Sequence, residues 1–159
     1  MNIKTLSASF FRIFAMLALV VFVSACARTP ATDLNAGGTA AAGSQQEFLV
    51  TVGDRVFFET GSSVISATGQ QTLDKQAAWL SRYSNYRIMI EGHADERGTR
   101  EYNIALGARR AAAVVNYLIS RGVSSTRITS KSFGKERPVA VCNDISCWSQ
   151  NRRSVTVVN

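Results

Sequence analysis

Residues 92–118 read GHADERGTREYNIALGARRAAAVVNYL. His93, Asp95, Glu96 and Arg97 crowd into five positions, and Asn103, Leu106, Arg109 and Arg110 follow within one helical stretch. A carboxylate and a guanidinium held near one another on rigid elements suit a ligand that carries both an ammonium and a carboxylate. The Asp accepts from the ammonium, and the Arg grips the carboxylate bidentately. The same two residues, Asp95 and Arg110, could also be an internal ion pair. The readings differ only in whether a ligand completes the network. Hydrolytic or metal chemistry has less support. His93 is the only histidine, no second cluster supplies metal ligands, and no Ser or Cys nucleophile sits beside a base. No catalytic residue, metal or cofactor is assigned.

The elements that must position these groups can be read from periodicity. Residues 86–92 alternate as a strand, Tyr86, Ile88 and Ile90 against Arg87, Met89 and Glu91. Residues 101–121 form a helix, with Gly122 as its C′ residue. On a wheel of about 100° per residue with Leu106 at zero, the buried stripe centres on Ile104, Ala108, Ala111, Val115 and Leu118. Arg110 and Asn103 then emerge at its rim, whereas Arg109 lies roughly opposite and should be solvated. Further strands are expected at 48–52, 55–58, 127–132 and 154–158. A helix is expected at 67–82, capped by Ser66 and facing inward through Leu73, Ala77 and Leu80, with Trp79 flanking. Residues 134–138 make a turn, and 149–152 a helical turn. Strands alternating with helices predict an α/β fold, a small βαβαβ-type sandwich with helices on one mixed sheet. Phe57, Phe58, Trp79 and Tyr117 belong to the core or its edge. Trp148 could pack on a neighbouring disulfide or serve a partner surface.

The 159 residues allow one such domain plus processing segments. Lys4 and Arg12 precede an unbroken apolar run, residues 13–23, too short for comfort as a mature span. Ser24, Ala25 and Cys26 follow. This predicts a signal peptide over 1–25, and Val23-Ser24-Ala25-Cys26 resembles a bacterial lipobox in which Cys26 is acylated. Ala27, rather than Asp, favours the outer membrane by resemblance. Residues 26–46 then comprise the lipidated Cys and an Ala-, Gly-, Thr- and Ser-rich tether, and the folded domain spans 47–159. Loss of Lys4 and Arg12 with the first 25 residues leaves 16 basic against 11 acidic residues, a net charge of +5. Export and dispersed charge argue against nucleic acid as a partner. Cys142 and Cys147, in CNDISC, read as a disulfide closing a small loop outside the cytoplasm.

The residues now in view, GHADERGTREYNIALGARRAAAVVNYL, SFGKERPV and QNRRSV, resemble the OmpA C-terminal-like family over about residues 54–159. The resemblance implies a compact βαβαβ-type sandwich. It also implies non-covalent binding of peptidoglycan through the meso-diaminopimelate of its stem peptide. In the family pattern N-x-x-L-[SG]-x-x-R-A this chain supplies Asn103, Leu106, Gly107, Arg110 and Ala111. The ligand-gripping Arg thus falls on Arg110 and the ligand-gripping Asp on Asp95. Family members often carry Phe-x-x-Asp in the first loop, where this chain has Phe58-Glu59-Thr60-Gly61, so Thr60 and Gly61 are further peptidoglycan-binding candidates. The family resemblance also implies TolB as a periplasmic partner on an overlapping surface. It places the protein on the outer membrane, lipid-anchored and facing the periplasm, linking membrane to wall in the Tol system of envelope integrity and division. The alternatives are a structural surface lipoprotein without a specific ligand, or a periplasmic wall hydrolase. The CNDISC loop is not a general family feature.

Overall fold

The computed structural model describes residues 40–159. The expected signal segment, the expected acylation site Cys26 and most of the expected tether lie outside the described residues.

Residues 40–46 make contacts that the boundary at 47 does not anticipate. The Tyr86 hydroxyl donates to the Gly43 carbonyl at 2.8 Å, and the Gln45 amide to the Val158 carbonyl at 3.1 Å. Ser44 caps a short helix α1 (Gln45–Glu47) by accepting from the Glu47 N–H at 3.1 Å. The chain continues as a π-helical turn over Phe48–Gly53. The strand predicted at 48–52 is therefore helical. A short apolar run cannot separate strand from buried helix, and the Ser44-x-x-Glu47 capping signature decided the outcome. Phe48 drives into the core edge-on to Trp79, 5.0 Å between ring centroids, while the Trp79 indole N–H donates to Glu47 at 2.8 Å.

The remaining elements follow the periodicities more closely. They are β1 (Arg55–Phe57), α2 (Ala67–Arg82), β2 (Ile88–His93), α3 (Arg100–Ser120), a 3₁₀ turn (Ser125–Arg127), β3 (Ile128–Gly134), α4 (Ile145–Asn151) and β4 (Arg153–Val158). Ser66 caps α2 through the Gly69 N–H, and Thr99 caps α3 through the Tyr102 N–H, at 3.2 Å each. Such caps contribute about 1 kcal/mol apiece. The helix expected only around 149–152 is longer, because Asp144 caps α4 through Ser146. The Cys142–Cys147 disulfide, with Cα atoms 5.7 Å apart, staples its first turn.

The four strands form one mixed sheet in the order β1-β4-β2-β3. β4 is antiparallel to both β1 and β2, and β2 runs parallel to β3. Helices α2 and α3 cover one face, over a core that includes Leu73, Leu80, Ile88, Ile90, Val114 and Leu118. Phe58 and Trp79 join that core, but Phe57 points the other way and is half exposed, as alternation along β1 requires.

The helix α3 contact is closer than any leucine would permit. A methyl group built on Gly92 of β2 would collide with the Gly107 carbonyl of α3, and one on Gly107 with Ser132 and the Gly92 backbone. The Ser132 hydroxyl donates to the Ile104 carbonyl at 2.7 Å, tying α3 to β3. This approach rotates the helix relative to the wheel expectation. Its buried residues are Asn103, Leu106, Gly107, Arg110, Ala111, Val114 and Leu118, so Ala108 is exposed and Arg110 lies within the stripe rather than at its rim. The cause is that Gly107, invisible to a hydrophobicity wheel, is the point of closest contact.

Candidate functional site

β2 delivers Asp95 to the mouth of a groove. A register shift between Gly92 and His93 ends the regular β2–β3 pairing, and the Ala94 N–H reaches the Gly134 carbonyl at 2.7 Å. The chain then turns through 95–99 into the cap of α3. Lys135 holds this turn from below, its ammonium donating to the Glu96 and Gly98 carbonyls at 3.1 and 2.7 Å. Asn103 holds it from the helix, donating to the Arg97 carbonyl at 2.8 Å. A groove of about 260 Å³ results, lined by Thr60, Gly61, Asp95, Arg97, Gly98, Tyr102, Asn103 and Leu106. Two other hollows are larger, but Asp95 lines neither.

The structure thus brings five of the sequence candidates, Asp95, Asn103, Leu106, Thr60 and Gly61, to one groove. Arg110, the sixth, sits behind its wall and is fully enclosed. Its guanidinium donates to the carbonyls of Ser62 (2.8 Å), His93 (2.7 Å) and Glu59 (3.0 Å). It therefore staples the loop that carries Thr60 and Gly61 to the end of β2. Of five guanidinium N–H groups, one on each terminal nitrogen remains outside these bonds. Burial brings the Arg110 guanidinium down to about 10, opposed by the Asp95 charge and assisted by Arg152, so it stays charged at neutral pH. Arg109 is exposed, as expected.

Asp95 and Arg110 do not form the direct ion pair that the sequence allowed. Asp95, 7% exposed, is instead gripped by Arg97, with Nη2 at 2.8 Å and Nε at 3.2 Å, and by Arg152 at 3.4 Å. Burial pushes the Asp95 carboxyl up, but the hydrogen bonds and charge of Arg97 together with Arg152 outweigh it and leave the group below its ordinary value. In the sequence Arg152 stands out only as one of two adjacent arginines in QNRRSV. It is buried, because its guanidinium also donates to the Phe58 carbonyl at 2.9 Å. Trp148 meets the loop that carries Asp95. Its ring lies under the Arg97 guanidinium, 4.1 Å from the centroid, and its indole N–H donates to Glu96.

His93 closes β2 and does not line the groove. It is 1% exposed and stacks on Phe133 with centroids 5.6 Å apart. Neither ring nitrogen has a hydrogen-bond partner among the described residues. A Glu91 carboxylate oxygen is 3.4 Å from Nε2, outside hydrogen-bond geometry. Burial first, then the charges of Arg153 and Arg137, push the imidazole down from 6.5 to about 4. The unfolded chain therefore binds a proton that the folded one refuses. Stability from this group is complete above pH 6.5 and is lost as pH falls toward 4. Between pH 7 and pH 5 the loss should reach about 2 kcal/mol. Urea midpoints across this range should show it, and His93→Gln should flatten the profile, since no second histidine titrates there. An equal slope in the variant would disprove the assignment.

The family is decided by comparison with known proteins. The OmpA family model matches residues 57–152. The chain belongs to the OmpA family. Within this family it is similar to peptidoglycan-associated lipoproteins. It is 68% identical over 121 residues to that of Rhizobium meliloti, covering 76% of this chain and 69% of the relative. It is 59% identical over 152 residues to that of Mesorhizobium japonicum, covering 91% and 90%. The crystal structure of the peptidoglycan-associated lipoprotein from Burkholderia pseudomallei superposes with a TM-score of 0.65 at 40% identity, covering 67% of this chain and 90% of that one. The C-terminal domain of Helicobacter pylori MotB, at 22% identity, has a TM-score of 0.62 over 67% of this chain and 84% of its own and shares the fold. The family's sandwich of helices on one mixed sheet is thus the fold found here.

Proposed function

We propose that this protein is a non-enzymatic lipoprotein that holds peptidoglycan by the free end of a diaminopimelate side chain in the Asp95 groove. The observation that carries this reading is a nearly enclosed carboxylate lining a small groove, backed by the charged Arg110. The ligand ammonium goes to Asp95. Its carboxylate goes to the Thr60–Gly61 backbone, where Gly61, at φ +66°, turns the chain with no side chain in the way, and the enclosed Arg110 supplies positive charge from behind the wall. Two opposite charges meet two opposite charges, so neither is left unpaired on desolvation. Leu106 and Tyr102 supply apolar contact for the methylene stem. Lipidation at Cys26 and the tether anchor the domain to the outer membrane while it reaches the wall. TolB is a competing periplasmic partner on the same face, and the connection serves envelope integrity and division.

Asp95→Asn tests the reading, since it keeps size while removing the charge that an ammonium requires. Loss of sacculus pull-down by at least about tenfold is the expected result, one ion-pair decade being ~1.4 kcal/mol. The unaltered protein should prefer stem peptides ending in diaminopimelate over those ending in lysine, which lacks the second carboxylate. Full retention by the Asn variant would support the alternative, a structural lipoprotein with no specific ligand.

A further inference from the structure

The Asp95 carboxylate is already full. An ionised carboxylate offers about four acceptor positions. One oxygen accepts from the Arg97 backbone N–H and its Nε, both at 3.2 Å. The other accepts from Arg97 Nη2 at 2.8 Å and Arg152 Nη1 at 3.4 Å. An incoming ammonium must therefore displace a donor. Arg152 is the costly one to move, because its side chain is 6% exposed and also holds the Phe58 carbonyl. The Arg97 side chain is 40% exposed, so water can receive it. Beyond Asp95 it is kept in place by Thr60, whose hydroxyl accepts from Nη2 at 3.3 Å, and by the face of Trp148. Trp148 is fixed in turn by its bond to Glu96 and by its place on α4, directly after the stapled Cys147.

We propose that Arg97 is an internal stand-in for the ligand's ammonium, a latch that closes Asp95 in the empty groove and is held shut by Trp148. This rests on the reading of the groove as an ammonium-and-carboxylate site. The latch keeps a buried carboxylate paired when no ligand is present. It makes affinity the difference between two cations competing for one carboxylate, so only a ligand with an ammonium and further contacts displaces it. Trp148 is a positioning residue, acting through Arg97 by the attraction of a guanidinium to an aromatic face. Opening draws the guanidinium off the ring as well as off Asp95, so the contact with Trp148 favours the closed groove alone.

The test is a calorimetric titration of the full-length protein in detergent with the tripeptide L-Ala–D-Glu–meso-diaminopimelate. A second titration uses the same tripeptide acetylated on its side-chain amine. Arg97→Ala should bind the free-amine peptide roughly tenfold more tightly and Arg97→Gln somewhat less so. Trp148→Ala should gain roughly threefold, a cation–π contact's worth. None should gain affinity for the acetylated peptide, a restriction that a general loosening of the loop would not produce. Unchanged or weakened binding of the free-amine peptide by both Arg97 variants overturns the latch. So does an equal gain for the acetylated peptide. If instead the unaltered protein does not bind, or Asp95→Asn binds as well as it does, the groove reading itself falls and the latch falls with it.

Discussion

Gly92→Ala should unfold this domain or bring it close to unfolding, although it adds a single methyl group. The new Cβ would occupy the position of the Gly107 carbonyl, with the Ala111 methyl 3.2 Å away. The obstacle is helix backbone, which cannot rotate aside as a side chain can. Relief requires α3 to lift from β2 and β3, breaking the Ser132 bond to Ile104 and loosening the turn that presents Asp95. Overpacking of a tight core costs about 1–3 kcal/mol and sometimes more. Here the upper end or beyond is expected, against a total stability of about 5–15 kcal/mol. Gly122→Ala is the matching control. Gly122 has φ +92° but nothing within 4 Å of an added Cβ, so its cost should be confined to backbone strain, about 1 kcal/mol. Urea denaturation of both variants gives the comparison. A Gly92 variant no less stable than the Gly122 variant would show that α3 does not need this approach.

Arg110→Met should be the second severe lesion, for an opposite reason. It deletes donors rather than adding bulk. The carbonyls of Glu59, Ser62 and His93 each lose a partner, and a buried polar group so stranded costs about 1–3 kcal/mol. Asp95 also loses the positive charge behind it. A combined loss of about 3–5 kcal/mol is expected, with the 59–62 loop loosening first, since two of the three bonds end there. Hydrogen exchange should therefore rise in residues 59–64 under conditions where the α2 core remains protected. Arg110→Lys should recover little. An ammonium carries its three N–H groups on one atom and cannot span three separated carbonyls. Uniform exchange across the domain in Arg110→Met would show that the arginine does not staple this loop.

Much of this architecture was legible along the chain because short-range physics governs it. The α2 boundaries follow from Ser66 and the spacing of Leu73, Ala77 and Leu80, and the end of α3 from Gly122. The strand alternation of 88–92 reflects one face against helices and one facing outward. The disulfide was legible from the CNDISC spacing once residues 1–25 were read as an export signal. Where short-range signals conflicted, the reading failed. At residues 48–52 a short apolar run suggested a strand, while Ser44-x-x-Glu47 just upstream starts a helix, and the helical turn holds with Phe48 packed on Trp79.

The grouping of Asp95, Asn103, Leu106, Thr60 and Gly61 in one groove was also anticipated, through motif order in a recognised family. The sequence alone determined the residue types of the site, a carboxylate at a strand end and a guanidinium on the following helix, because those positions are set within one strand–loop–helix unit. Only the tertiary structure decided which charges meet. Gly107 against Gly92 turns α3 so that Arg110 is enclosed, while β4, from the far end of the chain, brings Arg152 to Asp95, and α4 sets Trp148 against Arg97. Ion pairing is decided over a few ångströms, and those distances depend on how helices and strands remote in sequence are packed together.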